Sequence, residues 1–123
     1  MSSTLVFASK ITYVSGVAQN ITSLSLTAGD WDVSALAYFE GSATPSTSFT
    51  QGSLSTVSAT PAAVDGFYAY GAAVTTATSD VNAVMPPTRF SLSSPTTVFL
   101  VGVCGILGGT IKGWGYVSAR RVR

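Results

Sequence analysis

Residues Ser23 to Phe39 read S-L-S-L-T-A-G-D-W-D-V-S-A-L-A-Y-F. Apolar and polar residues alternate on both sides of Ala28-Gly29-Asp30. A period of two marks a strand with one face buried and one wet, because successive side chains point to opposite faces. Gly29 tolerates the positive φ that a tight turn often needs, and Asp30 can bond its own backbone nearby. The segment is therefore strand, turn, strand. The rest of the chain repeats this grammar, and no amphipathic helical pattern of useful length competes with it.

The pattern predicts about eight strands. The first runs near Leu5 to Val14 and carries a kink. The second is Ile21 to Leu26, with Ile21, Leu24 and Leu26 apolar. The third is Trp31 to Phe39. Its inward set is Trp31, Val33, Ala35, Ala37 and Phe39. Its opposite set is Asp32, Ser34, Leu36, Tyr38 and Glu40, where Leu36 and Tyr38 mark a partner surface. Gly41 to Ser48 reads as a loop and Phe49 to Val57 as the fourth strand, broken at Thr60-Pro61. Phe67 to Val74 is the fifth, and Thr75 to Asp80 reads as a loop.

Met85-Pro86-Pro87 then leads into Thr88 to Leu92. Proline has no N–H for a sheet ladder, so the pair marks a strand entrance or an edge. Thr96 to Cys104 is apolar enough to be buried on both faces. Gly105 to Gly109 reads as loose chain or a turn, and Thr110 to Arg121 as the last strand. Gly113 and Gly115 inside it signal a bulge or the close approach of another backbone.

Short strands at roughly ten-residue spacing imply a sandwich or barrel, and eight suit a two-sheet jelly roll. An immunoglobulin-like sandwich is the alternative, but the Cys…Trp…Cys spacing is absent. The expected fold is all-β: a single-domain jelly-roll β-sandwich of about eight antiparallel strands over residues 1–123. Residues 1–20 are either an N-terminal arm or the first strand.

Charged residues make up 9% of the chain, against about 25% in ordinary domains. The net charge of +1 gives no field to steer nucleic acid. Surfaces so poor in charge stay apart with difficulty, so neighbouring copies or another protein are expected to cover much of this one. No basic, apolar leader opens the chain. The longest apolar run, near Val98 to Leu107, is too short for a bilayer helix. The expectation is a protein made in a cytoplasm and soluble there, with no membrane partner.

Chemistry is sparse. The absence of His removes a Ser-His-Asp triad. With one Cys and no dense acid cluster, no metal site is expected. Asp30 and Asp32 could hold Ca²⁺ with loop carbonyls, but a turn residue and a solvated strand residue explain them as well. Five acids allow a glycosidase pair, yet no spacing selects one. Gly108-Gly109-Thr110-Ile111-Lys112 lacks the full phosphate-loop pattern. Cys104, alone in an apolar run, reads as a buried small hydrophobe. No catalytic residue and no cofactor are expected.

The residues left over are interface candidates. Arg120, Arg121 and Arg123 carry half of the chain's positive charge. They suit docking on an acidic surface, or are simply a solvated strand end. Tyr68, Tyr70, Trp114 and Tyr116 suit an aromatic patch for sugar or protein, or are core and interface residues. With Leu36 and Tyr38 they complete the candidate set.

Three pieces occur in order: L-T-A-G-D-W-D-V-S at 26–34, R-F-S-L-S-S-P-T-T-V-F-L-V at 89–101 and G-Y-V-S-A-R-R-V-R at 115–123. Together they resemble a recurrent pattern in bacteriophage structural proteins. The layout is also similar to tumour-necrosis-factor-like and complement-head-like jelly rolls. The interruption by Gly105, Gly108 and Gly109 departs from that pattern.

The resemblance implies a compact homotrimer in a virion, either a capsid decoration or a fibre or needle tip, with no catalytic residues. Decoration, or cementing, of the head shell is the first expectation, with the major capsid protein or another virion protein as partner. A shaft-bearing fibre protein would need more chain. The alternative is a tail fibre or needle knob that binds a host receptor or glycan.

Overall fold

The computed structural model describes residues 3–7, 10–41, 46–60, 68–71 and 80–122. Among them are nine strands and no helix. They are β1 (Ser3–Phe7), β2 (Ile11–Thr12), β3 (Gln19–Leu26), β4 (Gly29–Gly41), β5 (Ser46–Ser55), β6 (Tyr68–Gly71), β7 (Asp80–Leu92), β8 (Thr96–Gly108) and β9 (Ile111–Arg121).

The strands form two antiparallel sheets. One has the order β1-β9-β4-β7, with β2 also on β9; the other is β3-β8-β5-β6. The pairings are nested: β1 and β2 with β9, β3 with β8, β4 with β7, and β5 with β6. The chain is thus one long hairpin rolled up on itself. With β1 and β2 taken as one interrupted strand, this is the eight-stranded jelly roll.

The core lies between the sheets. Trp31, Val33, Ala35, Ala37 and Phe39 of β4 are all buried in it. On β3 the buried residues are Ile21, Leu24 and Leu26. The three-residue step from Ile21 to Leu24 breaks period two because the register against β8 shifts between Asn20 and Thr22. Ile21 is the extra residue of that bulge. Val101 and Val103 of β8 are buried yet lie outside the core cluster. That strand is therefore covered on both faces.

The expected strand, turn and strand over Ser23 to Phe39 are present, and the turn after Leu26 carries the chain from one sheet to the other. Gly29 has φ of 136° there, a value open to glycine. The Trp31 indole N–H donates to the Thr27 carbonyl at 3.0 Å and holds the corner. The expected 41–48 loop is shorter, because Gly41 belongs to β4 and Ser46 begins β5; residues 42–45 lie outside the described residues. Likewise Phe67 and 72–74, expected in the fifth strand, lie outside them, as do 75–79.

The prolines do not start their strand, for β7 begins at Asp80 and runs through them. They sit on an edge strand, where a missing N–H is tolerated. Residues 105–108 do not turn either. They continue β8 along β5, where two register shifts absorb the irregular pairing.

Gly113 and Gly115 make no bulge, because β9 keeps regular register with β4. They face inward and make room. A Cβ on Gly113 would meet the Tyr13 ring, and one on Gly115 would meet the Leu36 carbonyl oxygen. Tyr13 is itself buried between the sheets, stacked on Phe39 with ring centroids 5.0 Å apart.

Candidate functional site

The alternation that sends Trp31 and Phe39 inward sends Asp32, Ser34, Leu36, Tyr38 and Glu40 to the outer face of the first sheet. β9 does the same with Lys112, Trp114, Tyr116, Ser118 and Arg120. Register joins the two sets row by row: Asp32 faces Arg120, Ser34 faces Ser118, Leu36 faces Tyr116, Tyr38 faces Trp114 and Glu40 faces Lys112. Rows lie about 6.7 Å apart, two residues of strand rise.

The middle rows are aromatic and aliphatic. Tyr38 and Trp114 stack with centroids 4.0 Å apart and planes 13° from parallel. Both are half-buried. Leu36 is only 9% exposed, although it lies outside the core cluster. Val84 of β7, opposite Leu36 on the other side, is 58% exposed. The strip is therefore an apolar surface on a wet sheet face.

Charge brackets the strip. At one end Lys10 pairs with Glu40 at 2.6 Å, and Lys112 lies across the ladder from the same carboxylate. At the other end Arg89 Nε donates to Asp32 Oδ1 at 2.9 Å, and Arg120 lies across from that acid. The Asp32 carboxylate holds the Arg89 guanidinium above its ordinary pKa, by hydrogen bond and by charge. The register also places Asp80 opposite Glu40, and Asp30, two residues before Asp32 on β4, acts on the Arg89 charge as well, so acids and bases are mixed at both ends.

Beside the Asp32 row lies an open cavity of about 320 Å³, lined by Asp32, Ser34, Pro87, Ser118 and Arg120. Its origin is the proline pair. Val33 pairs with Thr88 and Ala35 with Met85. Two residues, Pro86 and Pro87, therefore stand opposite Ser34 alone. This is a β-bulge on an edge strand, which opens the sheet locally.

Of the predicted interface residues, the structure brings Leu36, Tyr38, Trp114, Tyr116 and Arg120 onto one face. Arg121 is elsewhere: its guanidinium lies 5.7 Å over the Trp31 ring and donates to Thr27 Oγ1 at 3.1 Å. Tyr68 and Tyr70 belong to β6, the end strand of the other sheet. Arg123 lies outside the described residues. Reasoning from sequence missed Lys10, Arg89 and Lys112 as rim charges. Their alternation with inward residues was a usable signal only for Lys112.

Among the described residues no three His, Cys, Asp or Glu side chains gather into a metal-binding group. Asp32 is engaged by Arg89 instead. Cys104 is buried, and burial pushes its thiol up to about 11.

No protein-family model and no curated protein matches the chain. Solved structures do. VP2 of the infectious bursal disease virus subviral particle aligns with a TM-score of 0.54 at 16% identity, over 96% of this chain and 32% of that one. The T=1 particles derived from the same virus give 0.51 at 16% identity, over 95% and 31%. The structure of its Gx strain gives 0.51 at 15% identity, over 96% and 32%. The chain spans about a third of the length of the structures it matches. The likeness establishes a shared all-β sandwich fold.

Proposed function

We propose that this protein is a non-enzymatic structural component of a virion, which sits on the head shell as a trimeric decoration or cement protein. The observation that carries the reading is the outer face of the first sheet. An aromatic strip of Leu36, Tyr38, Trp114 and Tyr116 has a charged rim at both ends. An apolar centre with a polar rim is the anatomy of a protein interface, and Trp, Tyr and Arg dominate its energetics.

A jelly roll alone does not specify function. The fold shared with a viral particle protein adds support without deciding the role. Its rim mixes Lys10, Lys112, Arg89 and Arg120 with acids in both end rows. A partner surface of mixed charge, such as a capsid shell, suits it, while trimer contacts use other surfaces. Many copies on one shell would multiply a modest single-site affinity.

Light scattering on the purified protein tests the first half: the expected mass is three times the 12.6 kDa chain. Mixing it with capsids that lack it tests the second, with saturation at fixed stoichiometry expected. Trp114→Ser should weaken capsid binding by at least about tenfold, the effect of a central aromatic anchor. Trimers that ignore capsids but adhere to host glycans would replace this reading with a fibre or needle knob.

A further inference from the structure

The cavity at the proline bulge is built from groups that the strip does not use. Ser34 and Ser118 face each other across the β4–β9 ladder and supply two hydroxyls. Asp32 is held by Arg89 at 2.9 Å. Arg120, exposed beside it, has no ion pair or hydrogen bond among the described residues. A guanidinium presents a rigid fork of donors that matches a carboxylate at two points. Serine hydroxyls can donate to the remaining lone pairs. Pro87 walls the cavity on the β7 side.

We propose that this cavity is a socket for a carboxylate, and that its occupant is an Asp or Glu side chain on the protein surface against which the aromatic strip docks. The inference rests on the decoration reading for the identity of the partner, though not for the chemistry of the socket. Two features of the structure favour an acidic side chain. The cavity opens on the same face as the Tyr38–Trp114 stack, three rows away, so one flat partner reaches both. And Arg89 already draws Asp32 to its own side, so the acid beside the socket does not occupy Arg120.

The bulge gives the socket its depth. Ser34 has two prolines opposite it, which offer no N–H and hold the edge strand away. A regular ladder there would close the gap. The prolines that the sequence marks as an edge signal are thus also what makes room for a ligand.

Two measurements decide the proposal. The first is an acetate titration of the whole protein at constant ionic strength, followed by backbone amide shifts of Ser34, Ser118 and Arg120. Saturable shifts that vanish in Arg120→Ala are expected. Shifts equal to those from chloride, or shifts that persist in Arg120→Ala, would overturn the socket. Glucuronate binding more than tenfold tighter than acetate would overturn the side-chain occupant and assign the socket to an acidic sugar.

The second is capsid binding. Arg120→Ala should weaken it at least tenfold and flatten its salt dependence, with Arg120→Lys recovering only part. Wild-type capsid binding with unchanged Arg120→Ala affinity overturns the inference while the decoration reading stands. Absence of capsid binding in the wild type removes the decoration reading and the proposed occupant together, and the acetate titration still decides whether the cavity takes a carboxylate.

Discussion

The ring of Tyr13 occupies the space that a side chain on Gly113 would need. The ring also lies against Gly102 of the opposite sheet, where a Cβ would meet it again. Two glycines from two sheets thus form the slot for one aromatic residue. Phe39, stacked at 5.0 Å, closes the slot from the side. Gly113→Ala has no soft neighbour to push aside and should cost about 1–3 kcal/mol or more, as overpacking does. A shift in the urea midpoint measures it. An unchanged midpoint would mean that the ring has room to move.

The Tyr13 hydroxyl is buried and has no hydrogen-bond partner among the described residues. A buried, unpaired hydroxyl costs about 1–3 kcal/mol. Tyr13→Phe keeps the stack and removes that penalty, so it should stabilise the protein by about 1 kcal/mol. Thermal unfolding checks the sign. A lower melting temperature would indicate a bond that the hydroxyl makes in solution.

Trp31 is buried at the corner where the chain changes sheets, bonded to Thr27 and covered by Arg121. Trp31→Ala should cost about 3–5 kcal/mol, a large share of the stability of a domain this size. Arg121→Ala, which removes only the cover, should cost about 0.5–1 kcal/mol. Equilibrium denaturation of the two variants should keep that order.

Cys104 is pushed up by burial from 9.0 to about 11. Burial first, then the neighbouring Cys104, raises the Tyr13 phenol well above its usual range. Both groups are neutral acids in the native core. Between pH 9 and 11 the unfolded thiol gives up its proton while the native one keeps it, so the unfolded state binds fewer protons. Stability from this source is whole at neutral pH and falls as pH rises through that window. Urea midpoints from pH 7 to 11 should decline above about 9, and Cys104→Ala should lose part of that decline.

The buried face of β4 was legible from period two alone, because every second residue from Trp31 to Phe39 must be apolar to fill the space between sheets. The off-beat step from Ile21 to Leu24 carried the bulge in β3. Other features needed partners that local pattern does not encode. Glycines at 105 and 108 argue for a turn by propensity, but pairing with β5 holds them extended. Leu36 and Tyr38 were recognisable as misplaced on a wet face. That Tyr38 meets Trp114 depends on the register of strands far apart in the chain. The cavity was least visible, since two prolines signal an edge without saying which serine stands opposite them.

The nested pairing has a consequence for birth of the molecule on the ribosome. β1 and β2 lie against β9, the last of the nine described strands to be synthesised. Until Ile111 to Arg121 have left the exit tunnel, the first strands have no neighbour, and β4 lacks one of its two. Such long-range topology folds slowly, in milliseconds to seconds, with strand edges open meanwhile. Chains that stop short of β9 cannot close the first sheet or form the aromatic strip. Synthesis of β9 therefore acts as a checkpoint for closure of the first sheet.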